Sequence, residues 1–156
     1  MAALAEILLI YGSSRGNTRL VAERLKRTLG WPLDLLEASD VADPGRLAGY
    51  RVLLFFASTW GDGELQPDME NLLVRVPLDL VGRHYAVCEL GNYYGYDDFE
   101  FGALRVLQHH LDAAGGSELV PPLCMDSLPR KDLAGLERWT VTLDEALARL
   151  LPKDPA

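Results

Sequence analysis

Residues 7–29 read ILLIYGSSRGNTRLVAERLKRTL, and this stretch decides the fold. Its first five residues form a continuous apolar run, which predicts a strand buried on both faces of a parallel sheet. Its last eleven residues place Val21, Leu25 and Leu29 on one side with charged residues opposite, which predicts a helix packed on the core. Residues 12–18 form a short polar loop that joins this strand to the start of the helix.

The loop predicts a binding site for an anion. A helix N-terminus offers unpaired N–H groups and the positive end of the helix dipole. The loop adds side-chain donors from Ser13, Ser14, Asn17 and Thr18. Because it carries Arg15 but no lysine, the loop suits a phosphate held mainly by neutral hydrogen bonds.

Two common phosphate loops do not fit this stretch. The Walker loop needs four residues between its glycines and a lysine after the second, but here three residues separate Gly12 from Gly16 and Asn17 follows. The dinucleotide fingerprint G-x-G-x-x-G fails because Ser14 stands at the second glycine position. Neither ATP nor NAD is favoured, and a turn without a ligand remains an alternative for this loop taken alone.

Composition sets the broad class. The 156 residues predict one domain over 1–156, and their 49% apolar content includes no run long enough for a transmembrane helix. The net charge of −8 argues against nucleic acid and membrane surfaces but permits basic protein partners. The first eleven residues lack signal-peptide features, and Cys88 and Cys124 lie in apolar runs. We therefore expect a cytoplasmic protein with two reduced, buried thiols.

Periodicity along the chain predicts an α/β fold. Apolar runs predict further strands over 33–37, 51–57, 83–90 and 118–125, and helical spacing predicts helices over 67–74, 99–113 and 133–150. Five strands that alternate with helices indicate a parallel sheet with helices on both faces. Pro121 and Pro122 place the last strand at an edge of this sheet.

Three unusual loops, residues 12–18, 58–64 and 90–99, each follow a strand. They should therefore meet at the carboxyl-end rim, where open α/β sheets bind their ligands. The second loop offers Trp60, and the third offers Tyr93, Tyr94, Tyr96 and Phe99. Aromatic side chains on two loops that face a phosphate site suit a flat ring clamped on both faces.

Carboxylates surround the same rim. Those after the tryptophan are Asp62, Glu64, Asp68 and Glu70, and those around the tyrosines are Glu89, Asp97, Asp98 and Glu100. Their combined field opposes a further negative charge on the ligand. The pattern therefore disfavours anionic substrates and suits a cofactor whose reduced anion is high in energy.

These residues resemble the flavodoxin family of small FMN electron carriers. Residues 9–25 match its signature, with Tyr11, Ser13, Gly16 and Thr18 in place, and residues 58–62 and 91–96 look like its two flavin loops. Because only a short turn separates Met125 from the last helix, the chain resembles the short-chain subclass. The resemblance implies a three-layer flavodoxin-like sandwich with a five-stranded parallel sheet of order 2-1-3-4-5.

The resemblance also implies a set of FMN-binding residues. Those at the phosphate are Ser13, Ser14, Arg15, Gly16, Asn17 and Thr18. Those at the ring are Ser58, Thr59, Trp60, Gly61, Asp62, Leu90, Gly91, Asn92, Tyr96 and Phe99. Trp60 and Tyr96 would cover the two ring faces, and the backbone of residues 90–92 would meet the pyrimidine end. Gly61 would turn its carbonyl towards flavin N5, because glycine tolerates positive φ.

Two features depart from the family pattern. Asn92 stands where an aspartate is common, which removes one charge beside the pyrimidine ring. Glu89 and the Tyr93-Tyr94 pair have no explanation in the resemblance.

The implied function is low-potential one-electron transfer on non-covalently bound FMN, through the semiquinone/hydroquinone couple. The partners would be basic surfaces of a flavoprotein NADPH reductase and of acceptor redox enzymes. We expect a monomer with no catalytic side chain, metal, nucleic acid or membrane partner. The alternatives are an NAD(P)H:quinone-type FMN oxidoreductase of the same fold and a flavin-binding regulatory protein without turnover.

Other chemistry is poorly supported. His109 and His110 are adjacent on a predicted helix, so they point about 100° apart and do not suit a shared metal ion. Ser13 and Ser14 lack the G-x-S-x-G context of a hydrolase nucleophile. Trp139 is expected in the core.

Overall fold

Strand β1, Ile7–Tyr11, lies between two parallel neighbours, and all five of its side chains are buried. It pairs with β2, Leu33–Glu37, on one side and with β3, Val52–Trp60, on the other. Helices cover both faces of the sheet at this position, which explains why the sequence of β1 is apolar without alternation.

The computed structural model describes residues 5–13, 15–60, 64–91, 102–126 and 128–151, with only the backbone of Trp60 and Gly102. The helices are α1 Asn17–Thr28, α2 Pro67–Arg75, α3 Gly102–Ala113 and α4 Leu133–Leu150. The remaining strands are β4 Glu64–Leu65, β5 His84–Gly91, β6 Ser117–Glu118 and β7 Leu123–Asp126. None of the helices in these ranges is long and apolar enough to cross a membrane.

The sheet order confirms the predicted topology. The strands lie in the order β2-β1-β3-β5, and β6 and β7 both pair in parallel with the far edge of β5. The described residues form seven strands instead of the expected five, because the fifth position is divided between β6 and β7 and the short β4 pairs antiparallel with β3. Pro121 and Pro122 lie in the gap, where each lacks the N–H group that a continuous ladder needs.

The end of β3 is a second correction. Residues 58–60 were expected in a loop, but they continue the strand, because β5 and β4 both pair with them. Ser58 lies opposite Leu90 in the parallel ladder, and Thr59 lies opposite Leu65 in a short antiparallel hairpin. These partners satisfy backbone groups that a loop would expose. Within the predicted loop over 58–64, residues 58–60 and Glu64 therefore belong to strands, and residues 61–63 lie outside the described ranges.

Alternate side chains of the strands build two cores. One core includes Leu9, Leu54 and Phe56 together with the inner sides of α1 and α4. The other includes Leu8 and Phe55 together with α2 and α3. As predicted, Ala103, Leu107 and Leu111 form the buried side of α3, and Val106 is partly buried. The 3.6-residue apolar period of each helix is the sequence feature that fixed its buried side.

Three residues predicted in apolar surroundings can also be placed. Trp139 is buried, and its ring lies edge-on to that of Phe56 with the ring centroids 5.9 Å apart. Its indole N–H donates to the Pro121 carbonyl oxygen at 2.9 Å. Cys88 is buried as expected, whereas Cys124 is only half-buried, and both are free thiols. The prediction of a core position is thus confirmed for Trp139 and Cys88 and was too strong for Cys124.

The central position of β1 makes its side chains sensitive to truncation. Leu9 is 0% exposed, so Leu9→Ala should lower the free energy of unfolding by about 3–4 kcal/mol through lost burial and a residual cavity. Leu20→Ala is the matched control, because Leu20 is 52% exposed and its truncation should change stability by less than about 0.5 kcal/mol. Urea unfolding of both variants checks the prediction. Equal losses in the free energy of unfolding would contradict the burial of β1 on both faces of the sheet.

Candidate functional site

The loop after β1 ends in a glycine with left-handed backbone. Gly16 is the N-cap of α1 with φ +87°, a conformation that favours glycine because it has no Cβ. Its N–H donates to the Ser13 hydroxyl oxygen at 2.9 Å, which leaves the Ser13 hydrogen available to a ligand. Within the described residues, no side chain caps the first turn of α1 and no acidic residue lies in it. The helix therefore presents its first N–H groups at the rim.

The residues of this loop differ in their exposure to solvent. Arg15 and Gly16 are exposed, Ser13 and Asn17 are half-buried, and Thr18 is buried. Ser14 lies outside the described residues. The described donors are therefore backbone N–H groups, hydroxyls and one amide, with a single guanidinium at the exposed side.

Gly12 and Gln66 form a contact that the sequence did not reveal. A Cβ at Gly12 would lie 2.1 Å from Gln66 Oε1, so only glycine allows the two segments to approach this closely. Gln66 is fully buried, its Oε1 accepts from Met69 N at 2.9 Å, and its backbone N–H donates to Ser58 O at 2.9 Å. Gln66 thus joins the end of β1 and the start of α2 through its side chain, and the end of β3 through its backbone N–H. The one feature of the sequence that points to Gln66 is its position just before Pro67, the first residue of α2.

The ends of β3 and β5 place the remaining described residues. Ser58 and Thr59 are half-buried near the end of β3, and Leu90 and Gly91 are buried at the end of β5. The Leu90 side chain belongs to the core on the α1 and α4 side, so only its backbone is available at the rim. The Trp60 side chain and residues Gly61, Asp62, Asn92, Tyr96 and Phe99 lie outside the described part of the chain.

Glu89 is a buried carboxylate next to this rim. It is 0% exposed, the Thr59 hydroxyl donates to its Oε1, and Cys124 lies opposite it on β7. Burial raises the pKa of Glu89 to about 7, although hydrogen bonds from Thr59 and Cys124 favour the charged form. Burial and the nearby Glu89 raise the pKa of the Cys124 thiol to about 12. The thiol is therefore protonated at neutral pH and able to donate to the carboxylate.

This arrangement defines a class of protein. The ends of β1, β3 and β5 are adjacent in the sheet, and an open helix N-terminus with neutral donors lies beside them. A doubly wound α/β sheet with such a rim binds a phosphorylated ligand across the ends of its strands.

Comparison with known proteins identifies the family. Residues 9–139 match the family described as Flavodoxin. A flavodoxin from Nitratidesulfovibrio vulgaris (Miyazaki F strain) is 29% identical over 153 residues, which cover 92% of this chain and 100% of that protein. Flavodoxin 1 from Azotobacter vinelandii is 34% identical over 119 residues, 73% of this chain and 68% of that protein. Oxidised flavodoxin 2 from Bacillus cereus superposes with a TM-score of 0.78 at 27% identity, over 90% of this chain and 99% of that chain.

The chain belongs to the flavodoxin family. It is accordingly an electron carrier rather than an enzyme, and its cofactor is FMN. The donor set at the start of α1 fits this cofactor, because neutral N–H and hydroxyl groups beside one exposed arginine suit a phosphate monoester.

The contact between Gly12 and Gln66 gives one prediction. Gly12→Ala should lower the free energy of unfolding by about 2 kcal/mol, because the new methyl group displaces the buried Gln66 amide, which packs against the end of β1 and accepts from the start of α2. Gly135→Ala is the control, since Gly135 lies inside α4 with its nearest Cβ contacts at 3.9 Å, and helix propensity predicts a gain of about 0.5–1 kcal/mol. Urea unfolding of the FMN-free wild type and both variants measures these changes. A Gly12→Ala variant with an unchanged free energy of unfolding would refute the close contact.

The raised pKa of Glu89 gives a second prediction. Between about pH 4.5 and 7 the folded chain keeps a proton that the unfolded chain has released, so this group lowers stability as pH rises through that window. A shift from 4.5 to about 7 corresponds to a loss of about 3 kcal/mol above pH 7. Glu89→Gln cannot ionise and should exceed the wild type in stability at pH 8 by up to that amount, with the difference shrinking towards pH 4.5.

Urea unfolding of the FMN-free chain at several pH values measures this difference. The exposed Glu145 on α4 supplies the control, because Glu145→Gln should parallel the wild type at every pH. A constant difference between Glu89→Gln and the wild type across this range would show that Glu89 does not titrate there.

Proposed function

We propose that this chain carries single electrons on non-covalently bound FMN, using the more negative of the two one-electron couples of the flavin. The donor is a flavoprotein NADPH reductase and the acceptors are redox enzymes that present basic surfaces. The whole chain, 1–156, acts as a single domain of the short-chain type. The observation that carries this proposal is the open, neutral N-terminus of α1 beside the ends of β3 and β5.

The phosphate lies at the loop before α1. Ser13, Ser14, Arg15, Gly16, Asn17 and Thr18 hold it. In support, the left-handed Gly16 turns the loop so that its own N–H is bound by Ser13, while the N–H groups of the first turn of α1 remain directed to the ligand. The dipole of a 12-residue helix adds to this attraction.

The flavin ring lies across the ends of β3 and β5. The backbone of Leu90, Gly91 and Asn92 holds the pyrimidine end, and Ser58, Thr59, Gly61 and Asp62 line the adjacent edge. Trp60 and Tyr96, supported by Phe99, cover the two faces and exclude water. The buried side chain of Leu90 supports this placement, because it fixes the backbone of that residue at the rim. When bound, FMN supplies the ring that accepts and releases electrons.

Negative charge near the ring lowers its affinity for a second electron. Glu64 and Glu70 are exposed and Asp68 is half-buried on the segment that follows β3, and the net charge of the chain is −8. A charge about 12 Å from the ring, at an effective dielectric near 40, is worth about 0.7 kcal/mol, or about 30 mV for one electron. The same carboxylates attract basic partner surfaces and accelerate encounter at low salt.

The free thiols support a reducing compartment. Cys88 is buried, Cys124 is half-buried, and both are unpaired among the described cysteines. We infer that the chain is a cytoplasmic monomer, and gel filtration with the FMN-loaded chain is the direct measurement of its oligomeric state.

Potentiometric titration of the FMN-loaded chain tests the proposed function. The expected result is two separated one-electron steps, with the lower potential more negative than that of free FMN and no NADPH oxidation without a reductase. Replacing Glu64 and Glu70 together by glutamine should raise the lower potential by about 20–60 mV at low salt. The control replaces Glu137 and Glu145 on α4, and it should shift the potential much less. A single two-electron step, or NADPH oxidation by the chain alone, would favour the oxidoreductase alternative.

A further inference from the structure

The Thr59 hydroxyl joins three elements at the edge of the proposed flavin site. It donates to Glu89 Oε1 on β5, and its oxygen accepts from Ala103 N in the first turn of α3 at 3.2 Å. Thr59 precedes Trp60 at the end of β3, and Glu89 precedes Leu90 and Gly91 at the end of β5. One buried side-chain contact therefore connects the two strands from which both flavin loops leave the sheet.

Among the described residues, few groups around Glu89 could titrate with it. Cys124 is the titratable group that faces it from β7, and Cys88, its neighbour in β5, points into the opposite core. Ala57 and Thr59 of β3 carry no charge, nor do residues 102–104 of α3, and Arg105 is exposed. Because Glu89 is already 0% exposed, a bound flavin removes no further water from it. Any effect of its ionisation on the cofactor then acts through position or charge.

We propose that Glu89 is a positioning residue for FMN, which as a carboxylate holds the Thr59 hydroxyl and so fixes the end of β3 against the start of α3. This inference rests on the proposed placement of the flavin at the ends of β3 and β5. Its consequence is that the ionised form of Glu89 binds FMN more tightly than the protonated form.

The hydrogen-bond directions explain this preference. A carboxylate accepts the Thr59 proton, which leaves the Thr59 oxygen free to accept from Ala103 N. A carboxylic acid still offers its carbonyl oxygen to Thr59, but this neutral acceptor forms a weaker hydrogen bond than the charged carboxylate. A hydrogen bond to a charged group is replaced by one to a neutral group, which corresponds to about a tenfold change in affinity. Linkage is reciprocal, so FMN binding lowers the pKa of Glu89, and affinity falls as pH falls through about 7.

The test is a titration of the FMN-free full chain with FMN, followed by flavin fluorescence, at pH values from about 5.5 to 8.5. The wild type should bind about tenfold more weakly at the acidic end. Glu89→Gln should bind, at every pH, about as weakly as the wild type at the acidic end, because its amide oxygen is a neutral acceptor like that of the carboxylic acid. The phosphate of FMN also titrates near pH 6. This contribution cancels in the ratio of the dissociation constant of Glu89→Gln to that of the wild type at the same pH.

Thr59 variants and riboflavin separate positioning from charge. Thr59→Val should bind FMN about tenfold more weakly than the wild type at pH 8, and adding Glu89→Gln to it should not change its dissociation constant at any pH. Thr59→Ser keeps the hydroxyl and should restore the pH dependence of the wild-type dissociation constant. Riboflavin lacks the phosphate, so repulsion between phosphate and carboxylate cannot affect its binding, and it should show the same dependence on Glu89. Exposed Glu145→Gln is the matched control for loss of one charge. Far-UV circular dichroism confirms that each variant is folded.

Several results would overturn the inference. The same pH profile in Glu89→Gln and wild type would assign the titration to another group. FMN affinity that rises at low pH, with riboflavin unaffected, would show that charge repulsion outweighs positioning. Binding of both flavins without any pH dependence of the ratio would overturn this inference alone, whereas a folded chain that binds neither flavin at any pH would also overturn the proposed cofactor site.

Discussion

Parallel pairing of β1 with β3, and of β3 with β5, is the constraint on which the rest of the structure depends. Parallel strands end on the same side of the sheet, so the pairing brings the ends of β1, β3 and β5 to one rim. Because helices cover both faces, the side chains of these strands are predominantly apolar on both sides. The rim at which we propose the cofactor site therefore follows from the same burial that stabilises the fold.

Pairing alone does not fix the last residues of each strand, and buried polar side chains perform that task. Gln66 joins the ends of β1 and β3 to α2, and Thr59 with Glu89 joins the ends of β3 and β5 to α3. Both contacts lie on the face of the sheet covered by α2 and α3. A buried polar group without a partner is destabilising, so each contact favours one conformation of the rim.

Much of this architecture could be predicted from the sequence, because it depends on local patterns. The run over residues 7–11, the period of α4 and the order of the strands follow from apolar spacing and from the rule for parallel connections. The extension of β3 over residues 58–60 could not be predicted in the same way, since its partners in β4 and β5 are distant or irregular in sequence. The role of Gln66 and the burial of Glu89 were also hidden, because a polar residue shows no periodicity when it faces the core. At the site, the described residues 13, 15–18, 58–59 and 90–91 lie at the expected rim, whereas their contacts with FMN remain a proposal.

The divided last strand has a consequence for how copies of the chain meet one another. A long exposed edge strand offers unpaired N–H and C=O groups to which another chain can add, which is a common route to aggregation. Here the outer edge consists of β6, with two residues, and β7, with four, separated by Pro121 and Pro122. The prolines offer no donor, and neither piece is long enough to template a stable foreign strand. The irregularity that interrupts the ladder therefore also limits the addition of a foreign strand at this edge of the sheet.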